Sequence, residues 1–233
     1  MIHLSDRLRM NASFVTPGNR LADVGTDHGY IPITLVMEKK IPSALAMDVN
    51  EGPLERAKEH IREFQLESCI HTRLSDGVQA LHPGEADSVL IAGMGGALTV
   101  KILAEGEQVL KSVKELILQP QSEIDKVRRY LEKTGYRIVK EDMVCEDGKY
   151  YPVMKAVAGE MHYDREIFYQ YGKLLLDAGH SVLKDYLEKR RITCEAIHRK
   201  MLQDGSKEER TQNRIRQIQG EIEQIQEALS YMR

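Results

Sequence analysis

Between Arg20 and about Gly159 the chain alternates short apolar, strand-like runs with amphipathic helical stretches, and that alternation leaves few folds open to it. Parallel strands cannot be joined by tight turns, so each needs a crossover, usually a helix, and repeated strand–helix order implies a mostly parallel sheet covered by helices. The runs predict strands at residues 21–25, 44–49, 70–75, 88–92, 115–118, 136–144 and 151–157. Helices are expected at 33–40, 53–65, 98–113 and 123–133, with Pro53 suited to a first helical turn. Only EDGKY separates the last two strands, which permits a hairpin but no helical crossover, so the sheet should end with an antiparallel strand.

A different regime begins near Tyr163. From there on no proline occurs, and the apolar residues take helical spacing. Ile215, Ile218, Ile222, Ile225, Leu229 and Met232 form a heptad seam, and Leu183, Leu187, Arg190, Cys194, Ile197 and Met201 repeat the same rhythm with Arg190 as its one polar member. Between the seams, Gly205 suits a left-handed helix end, while Ser206 and Glu209 form a capping-box pattern that opens the next helix. The expected organisation is an α/β domain over 1–160 and an antiparallel coiled-coil hairpin over 161–233. Such seams can pair within one chain or between chains; the turn at Gly205 favours pairing within one, hence a monomer.

Composition removes several classes. Apolar residues make up 42% of the 233, enough for a sizeable core. Cys69, Cys145 and Cys194 are odd in number and widely spaced, without a C-x-x-C pair, so they read as reduced thiols in a cytosolic protein that binds no metal. The polar start MIHLSDRLRMN has no signal-peptide core, and no apolar run approaches the length of a membrane span. A net charge of −3 argues against a protein whose whole surface attracts nucleic acid, although the basic charge leans toward the tail.

The chemistry concentrates at strand ends. The first strand runs into Asp23-Val24-Gly25-Thr26-Asp27-His28-Gly29-Tyr30, an acidic residue followed by Gly-x-x-x-Gly at a strand-to-helix turn. Glycines there let the backbone approach a bound nucleoside closely. The spacing is not the G-x-G-x-x-G of dinucleotide binders; it resembles the D/E-x-G-x-G-x-G loop of class I methyltransferases, with Asp27 in place of the middle glycine. The second strand ends at Asp48, about twenty residues beyond Gly25, where a carboxylate can accept from a ribose diol. The third ends Ser75-Asp76-Gly77, placing Asp76 to accept from an adenine amino group. Each strand end alone could be an ordinary turn, but three in succession favour a nucleoside site. The fourth strand ends Ala92-Gly93-Met94-Gly95-Gly96, without the N/D-P-P-Y/F signature of many exocyclic-amine methyltransferases, and the fifth adds Gln119 and Gln121 at the same edge.

Taken together, ADVGTDHGYIP, AMDVNEGPLERAKEHI, LSDGVQAL, IAGMGG and ILQPQSEIDKVRRYL, with the N-terminal LSDRL…ASFV and the EDGKYY stretch, resemble the bacterial TrmK family of tRNA (adenine(22)-N(1))-methyltransferases over nearly the whole chain. The resemblance implies a class I, Rossmann-like seven-stranded sheet with a C-terminal helical hairpin, S-adenosyl-L-methionine as methyl donor and tRNA as substrate. It implies Gly25, Thr26, Asp27, His28 and Gly29 around the methionine part of the donor, Asp48 on the ribose, Asp76 and Gly77 near the adenine, and Ala92, Gly93 and Met94 on the transfer side. Asp23, Val49, Asn50 and Ser75 complete the expected cofactor set.

The N(1) lone pair of adenine lies in the ring plane and can attack a sulfonium methyl directly, so the protein must mainly position the base and stabilise the charge it gains. Asp27 is the candidate for charge stabilisation, with His28 and Tyr30 positioning the base; His28 could equally be a structural hydrogen-bonder. For tRNA phosphates the candidates are Arg7, Arg9, Lys189, Arg190, Arg191, Arg199, Lys200, Arg210, Arg214 and Arg216, although charges flanking a helical seam often form only a solvated face. The competing readings are a same-fold methyltransferase acting on another RNA site or a small molecule, and a non-catalytic scaffold that binds through its coiled coil.

Overall fold

The computed structural model describes residues 2–204 and 208–232. Gly205 and Ser206, the expected helix end and cap, lie outside the described residues. The chain divides into two compact units, the first running to His162 and the second beginning at Tyr163.

The first unit is a seven-stranded sheet: β1 (Leu21–Val24), β2 (Ala44–Asp48), β3 (Ile70–Leu74), β4 (Ser88–Ala92), β5 (Glu115–Gln119), β6 (Tyr136–Glu146) and β7 (Lys149–Ala158). The spatial order is β3-β2-β1-β4-β5-β7-β6. β1 to β5 are mutually parallel, and β7 pairs antiparallel with both β5 and β6. The antiparallel strand is therefore one place in from the edge rather than at it, because the two-residue turn at Asp147 and Gly148, both with positive φ, folds β7 back between β5 and β6. Each of the seven strands anticipated from the apolar runs is present, with ends shifted by a residue or two at most.

The helices depart from expectation in informative ways. α1 (Asp6–Phe14), capped by the Ser5 side chain accepting from the Leu8 N–H, was not foreseen, because its polar residues hide a buried stripe of Met10, Asn11 and Phe14. α2 covers Tyr30–Met37 rather than 33–40: Pro32 sits in its first turn, where the missing N–H costs nothing. α3 spans Glu51–Glu63. The expected helix 98–113 is broken at Gly106 into α4 (Gly96–Glu105) and α5 (Glu107–Leu110). α6 is Ile124–Lys133. Right-handed crossovers put α2 and α3 on one face and α4 and α6, which pack together, on the other. α1 packs on α2 and reaches across β5, β6 and β7.

The core between α1, α2 and the sheet is dominated by apolar side chains: Phe14, Ile33, Leu35, Ala46, Leu90 and Ile117 expose nothing to solvent. Each such aliphatic or aromatic side chain contributes about 1.5–3 kcal/mol by leaving water. Because strand order reverses between β1 and β4, the two chains leaving their carboxyl ends part company there and open a crevice.

The second unit contains a π-helical turn at Phe168–Gly172, α7 (Lys173–Asp177), α8 (Ser181–Asp204) and α9 (Glu209–Tyr231). α8 and α9 pack along each other, burying Leu183, Leu187 and Cys194 against a stripe of Ile218, Ile222, Ile225 and Ala228. Ala228 is buried in place of Leu229, which stays half-exposed, and Ile197 is largely exposed. An α-helix of 3.6 residues per turn drifts about 20° per heptad from a strict 3.5 repeat, enough to bring position 228 toward the seam. Arg190, the polar member of the seam, forms an ion pair with Glu221 across the two helices.

Candidate active site

The crevice at the switch between β1 and β4 is a cavity of about 350 Å³. Its walls are Arg7 and Leu8 from α1, Asp23 to His28 from the end of β1 onward, Tyr30 and Ile31 from α2, Ala92 and Gly93 from the end of β4, and Gln121 beyond β5, with Val24 not among them. The sequence thus brings Asp23, Gly25, Thr26, Asp27, His28, Tyr30, Ala92 and Gly93 together as expected neighbours. It also brings in Arg7, reckoned from sequence as a phosphate contact, and Gln121.

Asp23 lies at the end of a buried strand. Its Oδ2 accepts from the Thr26 hydroxyl at 2.7 Å. Burial pushes its carboxyl up to about 6, the Thr26 bond pulls it partly back, and the negative charge of Asp48 adds a smaller upward push. Among the described residues no cation pairs with this carboxylate. Gly25 follows at φ +75°, and its N–H and that of Thr26 both donate to the Met47 carbonyl, at 2.8 and 2.9 Å. A Cβ built on Gly25 would fall 2.2 Å from the Met94 methyl, so this turn packs directly beneath the β4 loop.

Beyond the turn, Asp27 is exposed and its Oδ1 accepts from Arg56 Nη2 at 2.9 Å, with His28 Nε2 at 3.4 Å. His28 adopts φ +63°, a left-handed conformation that costs a non-glycine residue of order 1–3 kcal/mol and marks strain concentrated at a site. Its ring stacks on Tyr30 with centroids 5.1 Å apart and planes 9° apart. His60 of α3 completes the cluster, its ring 5.3 Å from His28 and 5.2 Å from Tyr30, and its Nδ1 donates to the His28 carbonyl at 2.9 Å.

The remaining expected cofactor residues line the neighbouring strand ends rather than this cavity. Asp48 is half-buried at the end of β2, and its Oδ1 accepts from the Asn50 N–H at 2.8 Å. Val49 is exposed. Ser75 spends its hydroxyl on its own loop, donating to the Gly77 carbonyl at 2.9 Å and accepting from the Ala80 N–H at 3.1 Å. Asp76 is exposed with Lys101 4.0 Å away, and Gly77 packs against Ile102. On the opposite side Arg7 donates to Gln119 Oε1 at 3.3 Å and lies 5.4 Å over the Tyr151 ring. The Nε2 of Gln119, fully buried, has no hydrogen-bond partner among the described residues.

Residues 4–154 match the family described as a methyltransferase domain. A curated Bacillus subtilis relative, tRNA (adenine(22)-N(1))-methyltransferase, is 39% identical over 159 residues, spanning 68% of this chain and 67% of that protein. The chain belongs to the tRNA (adenine(22)-N(1))-methyltransferase family. Its fold matches the solved Streptococcus pneumoniae protein Sp1610 in complex with S-adenosyl-L-methionine, at 33% identity and TM-score 0.88 over 97% of this chain and 100% of that one. Mycoplasma capricolum TrmK in complex with S-adenosyl-homocysteine superposes at 26% identity and TM-score 0.85, covering 99% of both chains. As a tRNA (adenine(22)-N(1))-methyltransferase family member, the chain has a Rossmann-like sheet whose crevice lies where the topology puts it.

The basic candidates separate into different environments. Arg9 is exposed, donates to the Leu4 carbonyl at 3.3 Å, and borders a second cavity of about 480 Å³ between α1 and α2. On the hairpin of this family member, Lys189 pairs with Asp185 and Arg191 with Glu195, each at 2.8 Å, and Arg190 with Glu221. Arg214 and Arg216 donate to Gln217 and Asn213. Arg199, Lys200 and Arg210 are exposed. Among the described residues no group of three or more His, Cys, Asp or Glu could hold a metal ion, and no helix is long and apolar enough to cross a membrane. Sequence reasoning missed Arg56 and His60, whose only signal was a shared helix flank at i and i+4, meaningful once α3 is known to pack beside the first loop.

Proposed function

We propose that this chain transfers the methyl group of S-adenosyl-L-methionine to N(1) of adenine 22 in tRNA. The observation that carries the reading is the kinship with proteins of that description, joined to a crevice whose buried, uncompensated Asp23 suits a cationic ligand. When bound, the donor supplies an electrophilic methyl on a sulfonium; the N(1) lone pair forms the new C–N bond as the C–S bond breaks, and the positive charge passes from sulfur to the base.

The chain's own groups account for binding and orientation. Gly25 allows close backbone approach and Gly29 lets the loop pack on α3, with Thr26 beside the methionine part and Asp48, followed by Val49 and Asn50, at the ribose. Ser75, Asp76 and Gly77 bound the adenine end of the donor. Ala92, Gly93 and Met94 form the transfer side. Asp27 stands at the mouth to favour the charge that develops on the base, and the stacked His28 and Tyr30 offer an aromatic face against which an unstacked adenine can be held. Arg7 reaches the same cavity, while Arg9 and the exposed hairpin cations Arg199, Lys200 and Arg210, with Lys189, Arg190, Arg191, Arg214 and Arg216, are the candidates for phosphate contact. We read the protein as a cytosolic monomer, with catalysis in 1–160 and RNA engagement shared with 161–233.

The test uses a tRNA transcript with adenine at position 22 and a second with guanine there, each incubated with methyl-labelled donor. Label should enter the first alone and appear as N(1)-methyladenosine on digestion. Equal labelling of both transcripts, or label recovered as another nucleoside, would refute the assignment.

A further inference from the structure

The loop at the crevice mouth is gripped from α3, one residue at a time. Arg56 donates to the Asp27 carboxylate at 2.9 Å. His60 Nδ1 bonds to the His28 carbonyl at 2.9 Å, and because a carbonyl oxygen only accepts, that nitrogen carries the hydrogen. Ala57 supports Gly29, where a built Cβ would meet the Ala57 Cβ at 3.4 Å. Positions 56, 57 and 60 share one flank of a helix, so the three contacts are made by a single rigid element.

Two consecutive residues of this loop, His28 and Gly29, are left-handed, at φ +63° and +68°. Glycine accepts that conformation freely, whereas His28 needs its surroundings to hold it. The described holder of its carbonyl is His60, which is not among the residues that line the cavity. Its ring also packs against both His28 and Tyr30, with planes 27° and 24° from theirs.

We propose that His60 is a positioning residue for methyl transfer: its Nδ1–H fixes the His28 carbonyl and so sets the angle at which the His28–Tyr30 pair faces the base. The proposal rests on the reading of His28 and Tyr30 as the groups that position the acceptor. It also gives α3 a reason to begin just after Asp48, since the helix that grips the loop starts at the strand end assigned to the donor's ribose.

Three variants test it: His60→Ala, His60→Asn, whose amide nitrogen can occupy the Nδ1 position, and His60→Phe, which keeps a ring without the donor. Donor affinity and KM for tRNA should stay within about threefold of the unmodified enzyme in all three, since no substrate contact is removed. The kcat of H60A should fall about tenfold, as expected for the loss of roughly one hydrogen bond's worth of ordering. H60N should recover most of that loss and H60F should not. Hydrogen–deuterium exchange across residues 25–31 should quicken in H60A and H60F and remain slow in H60N. A kcat for H60A indistinguishable from the unmodified enzyme, or an H60N no better than H60F in turnover and exchange, overturns the proposal. Should the unmodified enzyme methylate no tRNA, the functional reading fails, and the exchange pattern alone then decides whether His60 orders the loop.

Discussion

Replacing Asp23 by asparagine should make the protein more stable and its donor site worse. The folded carboxyl is raised from 3.8 to about 6, chiefly by burial. At 1.36 kcal/mol per unit, that shift of roughly two units corresponds to about 3 kcal/mol by which the folded surroundings, net of the Thr26 bond, disfavour the charged form. The sign follows from proton counts. Below 3.8 both folded and unfolded states are protonated and Asp23 costs nothing. Between 3.8 and about 6 the folded state holds the extra proton, so stability falls as pH rises, and above about 6 the whole cost is present. Asparagine carries no charge and can keep a side-chain acceptor for the Thr26 hydroxyl. Asp23→Asn should therefore raise the urea midpoint at pH 7.5, by up to about 3 kcal/mol of stability, with the gain shrinking toward zero near pH 4. In the same variant, affinity for the cationic donor should fall while affinity for the neutral S-adenosyl-homocysteine changes less. A variant less stable than the parent at pH 7.5, or a stability difference that does not change with pH, would refute this reasoning.

Two other perturbations probe packing in the first unit. Arg128→Met removes the guanidinium from Glu141, a pair whose side chains are 1% and 0% exposed, and should cost about 3–5 kcal/mol in chemical denaturation, whereas Arg128→Met with Glu141→Leu should recover much of the loss. Equal stability of the single and double variants would argue against the pair's burial. Gly96→Ala places a Cβ 2.4 Å from the Glu123 carbonyl oxygen and 2.5 Å from that of Ser122, both backbone, and should destabilise by about 1–3 kcal/mol or more as the start of α4 is pushed from the loop after β5. An unchanged thermal midpoint would show that this loop yields freely.

The sheet was legible in the sequence because parallel strands buried on both faces carry near-continuous apolar runs, as in residues 89–92 and 116–118, and because EDGKY is too short for anything but a hairpin. α1 was not, since its helical face mixes Asn11 and Arg7 with apolar residues and its burial comes from the sheet and α2, which local pattern cannot report. The edge that carries the crevice was legible from the strand ends, since topology brings Asp23, Asp48 and Asp76 to one side of the sheet, but of the three only Asp23 lines the cavity. What the pattern could not supply was which side chains turn into the cavity. Arg7 was read as an RNA contact from its charge, yet it reaches the cavity and bonds to Gln119. Arg56 and His60 drew no notice in the sequence, because their meaning comes from the loop at Asp27 and His28 that packs against α3. Ser75 shows the converse: a residue at the right strand end whose hydroxyl is consumed by its own loop.

If the strand-end crevice is the seat of a sulfonium nucleoside, calorimetric titration of the intact protein with S-adenosyl-L-methionine shows it most directly. One donor should bind per chain, and Asp48→Ala should weaken it by about 10–100-fold, the worth of a charge-assisted hydrogen bond to the ribose. A properly folded protein that takes up no donor, or an Asp48→Ala variant that binds as tightly as its parent, would contradict it.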